Sequence, residues 1–305
     1  MLELPLTGPD TGADPESSMN YATFIIHGAR GSHPAVGPGF RTYGGHTSCF
    51  SIETESELIL LDAGSGITRL NEVCTAWPSP KPISIFLTHY HLDHITGLAG
   101  FRPIYSPGYR IQFYGGPSAP GLSCQSALER FFQRPFWPVP MADMGSDVLY
   151  HDLDLDQPSL HIGGLEIRWF PVPHTEPCLA YQVRSRRGSI TLSTDHETTP
   201  DTEEAFTDFA RGTDILIQDA QYTPAEIESR RGWGHCTWED AARIATRANA
   251  KRLLLTHHDP DHTDADLDAI LEQTRRQFKN TRLATTGMAF SFASAEAAPE
   301  TAAAV

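Results

Sequence analysis

No stretch of the chain approaches the roughly 18 consecutive apolar residues that a membrane-spanning helix needs, so a protein built on such spans is excluded. Positive charge is scarce: Lys plus Arg is 23 against 38 Asp plus Glu, a formal net charge of −15. Without a basic face, a long nucleic acid is not expected as a partner. A small anionic substrate stays open, because a metal ion can supply positive charge locally. Cysteine is sparse: Cys49, Cys74, Cys124, Cys178 and Cys236 make 5, with no CxxC spacing. That argues against a disulfide framework or a zinc ribbon and makes a reducing cytoplasm the expected compartment. The opening MLELPLTGPDTGADPESS lacks a basic segment followed by an apolar one, so it does not read as a secretory signal. No repeat of 20–50 residues is visible.

What is present is histidine, 14 copies, in a chain of 305 residues that is 40% hydrophobic. That is enough for one large α/β domain or two smaller ones. Residues 1–20, rich in Pro, Gly, Asp and Ser, are expected to be disordered, and residues 293–305 to form a flexible tail. Between them, apolar runs at TFIIHG, SCFSIE, LILLDAG, ISIFLTH, RIQFYGG, LEIRWFPV, LAYQVRS, SITLSTD, DILIQDA and RLLLTHH predict strands. Several are almost wholly apolar, as in a sheet covered on both faces. Helices are expected at ITRLNEVC, SALERFF, EEAFTDFA, TWEDAARIATRANA and DADLDAILEQTRRQF. In TWEDAARIATRANA, Ala241, Ile244 and Ala248 share one face, and Thr237 with Asp240 has capping-box spacing. Residues 30–48 form a Gly/Pro-rich loop. Residues 101–147, with FFQRPFWPVP, have the composition of a lid-like insertion; Phe131, Phe132, Phe136 and Trp137 there suit a pocket wall or a local core equally.

Six predicted strands end in an acid or a histidine: Asp62; His89, His91, Asp93 and His94; His174; Asp195; Asp219; and His257 with His258. The ends of sheet strands are where α/β proteins assemble sites. His89-x-His91-x-Asp93-His94 is the densest cluster. In a turn leaving a strand, alternate residues can face one metal while the next pair is redirected to another. Imidazole and carboxylate suit Zn²⁺, Mn²⁺ or Fe.

HYHLDH resembles the HxHxDH motif of the metallo-β-lactamase fold, and the later positions of that family follow in order from Tyr21 to Phe292. The resemblance implies a four-layer αββα sandwich: two mixed β-sheets flanked by helices, one hydrolase domain over residues 21–292, and a dinuclear site. It implies a first ion on His89, His91 and His174, a second on Asp93, His94 and His257, and a bridging Asp195. Asp62 would orient a ligand histidine. The expected cofactors are two divalent ions per chain, Zn²⁺ first, with Mn²⁺ or Fe using the same ligands. His257 is preferred to His258 because it directly follows the strand. His258 and His262 are expected to face solvent or substrate, and Asp259 and Asp261 to be surface or helix-capping charges.

RGSHPAV…YGGHTSC resembles the opening of the branch holding tRNase Z and related phosphodiesterases, which often has Asn where this chain has His46. Gly234-His235-Cys236-Thr237 resembles that branch's GHST motif, with Asp219 as the acid paired to the histidine. The resemblance implies catalytic roles for His235, Asp219 and Asp93. His46, Tyr222 and Trp233 are candidate substrate contacts. The implied function is a dinuclear metal-dependent hydrolase, foremost a phosphodiesterase attacking a small phosphodiester, such as a cyclic nucleotide, through a metal-bridging hydroxide. Alternatives on the same ions are a lactonase, thioesterase, arylsulfatase or phosphotriesterase. A tRNA 3′-processing nuclease ranks lower, since the long Gly/Lys-rich arm of such enzymes is not evident, and so does a di-iron redox protein. A homodimer, common in that family, stays open.

Overall fold

Leu58–Leu61 and Ile83–Leu87 are buried at every position, as strands covered on both faces must be. In the computed structural model, which describes residues 22–116, 122–186 and 188–291, they are central strands of one of two sheets. The expected disordered N-terminus (1–20) and flexible tail (293–305) lie outside the described residues.

The first sheet contains β1 (Thr23–Gly28), β2 (Cys49–Glu53), β3 (Leu58–Leu61), β4 (Ile83–Leu87), β5 (Arg110–Gly115) and β6 (Asp147–Asp152). The second contains β7 (Ser159–Ile162), β8 (Leu165–Val172), β9 (Cys178–Ser185), β10 (Gly188–Ser193), β11 (Ile215–Asp219), β12 (Arg252–Thr256) and β13 (Thr281–Leu283). The last strand, β14 (Ala289–Ser291), returns to the first sheet, so the orders are β14-β1-β2-β3-β4-β5-β6 and β13-β12-β11-β10-β9-β8-β7. The pairings β14–β1, β1–β2 and β2–β3 are antiparallel and β3–β4, β4–β5 and β5–β6 parallel. The second sheet repeats this pattern, antiparallel from β7 to β10 and parallel from β10 to β13.

Apolar side chains divide among the interfaces between layers. Phe24, Phe50, Phe86, Ile167, Tyr181 and Ile217 lie between the sheets. Leu60, Ile85, Phe113 and Leu128 lie between the first sheet and its helices, α1 (Asn71–Thr75), the short α2 (Leu92–Ile95) and α3 (Cys124–Phe131). Leu216, Leu255, Ala241 and Ile270 lie between the second sheet and α4 (Pro200–Phe209), α5 (Trp238–Arg247) and α6 (Asp264–Gln277). The chain is thus two mixed sheets flanked by helices, an αββα sandwich. Ala241, Ile244 and Ala248 are all buried, and Thr237 and Asp240 form the capping box.

Four strands have no counterpart among the sequence-predicted runs: β6, β7, β13 and β14. All are outermost in their sheets, and the first two alternate exposed and half-buried positions, which weakens their apolar pattern. Residues 101–147 supply β5, α3 and packing on the outer face of the first sheet, with Phe101, Phe113 and Phe132 buried there. Phe131 and Trp137 pack against that cluster, while Phe136 is exposed.

Candidate metal centre

The chain leaves β4 at Leu87, and His89 and His91 project from the extended segment that follows. Helical geometry begins at Leu92, with His91 as its extended N-cap, and this rotates Asp93 and His94 away from the two preceding histidines. The outcome is two adjacent donor groups, His89–His91–His174 and Asp93–His94–Asp195–His257, beside a third that His235 forms with His174 and Asp195, each with its ligand atoms within 4.8 Å of one another. Asp195 lies between the first two. Its Oδ1 is 3.9 Å from His89 Nε2, 3.7 Å from His174 Nε2 and 3.3 Å from His257 Nε2. Its Oδ2 is 3.1 Å from His94 Nε2. Donor atoms about 2.1 Å from a tetrahedral ion stand about 3.4 Å apart, which is the spacing here.

A divalent cation fits this set on a second ground. His89 Nε2, His94 Nε2 and Asp195 Oδ2 are buried and lack a hydrogen-bond partner. Atoms left this way are costly, and a cation accepting their lone pairs removes the cost. The cluster is compatible with divalent metal binding.

The opposite ring nitrogens are held. His94 Nδ1 donates to Asp62 Oδ2 at 2.7 Å, and Asp62 Oδ1 accepts from the Thr88 backbone N–H at 2.8 Å. His174 Nδ1 donates to the Gly234 carbonyl at 2.7 Å. Both contacts leave Nε2 as the lone-pair donor facing the cluster. His257 takes a left-handed backbone, φ 57°, which turns its ring into the cluster. The chain then pairs with the opening loop: the His258 N–H donates to Ala29 O at 2.9 Å, and the Gly31 N–H to His258 O at 3.0 Å. A Cβ at Gly31 would stand 2.3 Å from His257 Cδ2, so only glycine allows this approach. Ser32 closes the loop, its N–H donating to Asp93 Oδ2 at 2.8 Å.

Beside the cluster, His235 Nδ1 donates to Asp219 Oδ2 at 2.8 Å. Asp219 also accepts the N–H of His196 at 3.0 Å and of Gln221 at 2.9 Å. Burial raises the Asp219 carboxyl to about 6 even with His235 beside it. Burial pulls His235 down, but Asp219, with Asp195 and Asp93 farther off, raises it to about 9. The pair therefore favours an imidazolium on a carboxylate at neutral pH. His235 lines two cavities: one of about 300 Å³ over Asp93, Asp195 and His257, and one of about 460 Å³ toward Tyr222 and Trp233.

Sequence reasoning missed Glu197. Its carboxylate accepts the N–H of Gly232 at 2.8 Å and of Gly234 at 2.9 Å, fixing the turn that carries His235 and the carbonyl holding His174. Arg30 was missed as well. It is fully buried, and its guanidinium donates to the carbonyls of Gly44, Asp259 and His262, tying the opening loop to the turn after β12.

The structure brings together His89, His91, Asp93, His94, His174, Asp195 and His257, with Asp62 behind His94 and the His235–Asp219 pair alongside. Tyr222 and Trp233 line the larger cavity. His46 lines neither cavity; its Nδ1 lies 3.2 Å from Ser65 Oγ, and its carbonyl accepts from Ala29 and Arg30. Two expectations are corrected. His258 and His262 do not face solvent: His258 is buried with Nε2 2.9 Å from Ala284 O, and His262 Nε2 lies 2.9 Å from Glu226. Nor is Asp259 a surface charge or a cap of the next helix, whereas Asp261 is exposed, a surface charge as expected. Thr263 and Asp266 form that capping box, while buried Asp259 accepts the N–H of Asp261 at 2.9 Å. No residue lining either cavity comes from the described part of 101–147.

The chain is similar to Ribonuclease Z of Prochlorococcus marinus (strain NATL1A), 26% identical over 289 residues, spanning 75% of this chain and 87% of that one. Its fold is similar to the crystal structure of the metallo-beta-lactamase fold protein YhfI from Bacillus subtilis, with TM-score 0.67 and 19% identity, over 90% and 100% of the two chains. It also matches a new diphosphatase from the PhnP family, with TM-score 0.63 and 23% identity, over 88% and 97%. The ribonuclease relatives overturn the expectation that a long nucleic acid is an improbable partner. That expectation came from a charge summed over the molecule, whereas phosphate is bound where cations are concentrated locally. The family described as the beta-lactamase superfamily domain matches residues 57–258, which contain every donor of the two clusters, and the chain belongs to that superfamily.

Proposed function

We propose that this metal-dependent hydrolase cleaves phosphodiesters and that its substrate class is RNA. The observation that carries the reading is the His235–Asp219 pair, 2.8 Å apart at the edge of the two donor groups. His89, His91 and His174 would hold one ion, Asp93, His94 and His257 a second, and Asp195 would touch both. Zn²⁺ suits the donors best, and Mn²⁺ or Fe accepts them as well. When bound, the ions supply Lewis acidity toward phosphoryl oxygens and a water acidified toward neutral pH.

The chain's own residues do the rest. Asp62 and the Gly234 carbonyl keep His94 and His174 presenting Nε2 inward. Asp219 anchors His235 by Nδ1, so a proton on Nε2 is available to a departing oxygen. A protonated histidine at that place matters for a poor leaving group such as a ribose hydroxyl and little for the phenolate of an aryl sulfate, which favours an alkyl diester over that alternative. The relatives named Ribonuclease Z support RNA as the diester.

A second reading, a small phosphodiester such as a cyclic nucleotide, is favoured by the scarcity of cations around the site. Arg230 is the guanidinium in the lining of the larger cavity, and Glu226 and Asp259 already lie 3.5 and 3.8 Å from it. We further propose one hydrolase domain over residues 21–292. A cytoplasmic location is also proposed, supported by five free cysteines, all buried.

The test is turnover by metal-loaded protein on a structured RNA with a 3′ extension, cyclic nucleotides, bis(p-nitrophenyl) phosphate, an aryl sulfate and a lactone. RNA cleavage at the highest kcat/KM is expected. Cyclic nucleotides outpacing RNA would select the second reading, and turnover of only the lactone or sulfate would overturn both.

A further inference from the structure

We propose that the cavity of about 460 Å³ beside His235 is a nucleobase subsite, with guanine the preferred base. The inference rests on the phosphodiester reading and specifies what the substrate carries next to the phosphate.

The cavity shares Ser32 and His235 with the smaller cavity over the metal cluster, so a group attached to a phosphate there enters it directly. Trp233, 58% exposed, stands in its wall. A large aromatic exposed on a loose loop would mean little, but the backbone that carries this one is fixed. Gly232 and Gly234 on either side donate to Glu197 at 2.8 and 2.9 Å, and Trp233 N–H donates to Arg230 O at 3.1 Å. The turn is thus pre-set, and it presents an exposed indole of the kind that stacks on a base.

The charges decide what the plate receives. The Arg230 guanidinium stacks over the Tyr222 ring at 4.8 Å, and Glu226 and Asp259, 3.5 and 3.8 Å away, offset its charge while leaving Nη1 without a hydrogen-bond partner. Asp261 adds an exposed carboxylate to the lining. With Glu226, Asp259 and Asp261 set against one guanidinium, a flat, uncharged ring with N–H donors is favoured over a second phosphate or a carboxylate. Guanine presents N1–H and the N2 amino group side by side, which the two oxygens of one carboxylate accept together. Adenine and cytosine offer an amino group beside an acceptor, and uracil one N–H between two carbonyls. A quaternary ammonium would also suit carboxylates, but it needs several open aromatic faces, and the Tyr222 face is taken by Arg230.

Calorimetric titration of the metal-loaded full chain with GMP, AMP, CMP, UMP, ribose 5-phosphate and phosphocholine tests the subsite. GMP is expected to bind about tenfold or more tighter than ribose 5-phosphate, the scale of one base stacked on an aromatic ring, with UMP the weakest nucleotide. Trp233→Ala should shrink the advantage of every nucleotide, and Asp261→Asn that of GMP most. Equal binding of GMP and ribose 5-phosphate, phosphocholine as the tightest ligand, or an unchanged GMP advantage in either variant would overturn the subsite. Hydrolysis of bis(p-nitrophenyl) phosphate by the same preparation separates the two claims. Hydrolysis without base preference removes only the subsite, and base preference without hydrolysis leaves the subsite and removes the diesterase reading.

Discussion

Asp62 holds His94 by Nδ1 while a backbone N–H and a hydroxyl of Thr88 hold Asp62. Asp62→Asn keeps the shape but replaces the charged acceptor behind His94. Metal affinity is expected to fall about 10–100-fold, measured by competition with a chromogenic chelator; unchanged affinity would remove the orienting role. His235→Ala should lower kcat about 10²–10⁴-fold for diesters with alkoxide leaving groups and much less for p-nitrophenolate, which leaves without a proton. Equal losses on the two substrates would mean that His235 serves only to bind or to shape the site.

At the scale of the element, the turn from Gly232 to His235 depends on a carboxylate 35 residues earlier in the chain. Glu197→Ala frees the N–H groups of Gly232 and Gly234 and loosens both His235 and the carbonyl on His174. Glu197 is a positioning residue, so its loss should lower kcat more than it raises KM and should leave the unfolding midpoint nearly unmoved. Glu197→Gln, which retains one acceptor oxygen, should recover part of the rate. A purely structural role would lower stability and rate together. This element also marks where sequence becomes illegible. His89, His91, Asp93 and His94 are readable because one turn carries them all, and His174, Asp195 and His257 because each ends a strongly apolar strand. Glu197 works through backbone amides of distant glycines, which leave no side-chain pattern. The choice of His257 over His258 turns on one left-handed residue, and Arg30 looks like a loop cation until Gly44, Asp259 and His262 enclose it.

For the whole molecule, stability should depend on pH and on metal. Burial holds the His27 pKa at about 4, against 6.5 for the free side chain, while its Nε2 lies 2.8 Å from Ser51 Oγ. Above pH 6.5 the histidine is neutral in both states. Between 6.5 and 4 the unfolded chain takes a proton that the folded chain refuses, so stability falls as pH falls through that window. His27→Gln should flatten this part of the profile; urea unfolding at pH 7 and pH 4.5 measures it, and parallel profiles would contradict it. Removing metal should lower Tm by about 5 °C or more, the scale of a ligand bound well above its Kd to the native state alone. An unchanged Tm with chelator would count against tight binding.

The two sheets carry the same ladder, three antiparallel pairings and then three parallel, and each donor group draws from both. The first sheet brings His89, His91, Asp93 and His94, and the second brings His174, Asp195 and His257. A nascent chain that has emerged only to β6 carries a whole turn of ligands and none of their partners. Occupied, the site would be a rivet through the seam between the halves, and it is incomplete until β12 has delivered His257.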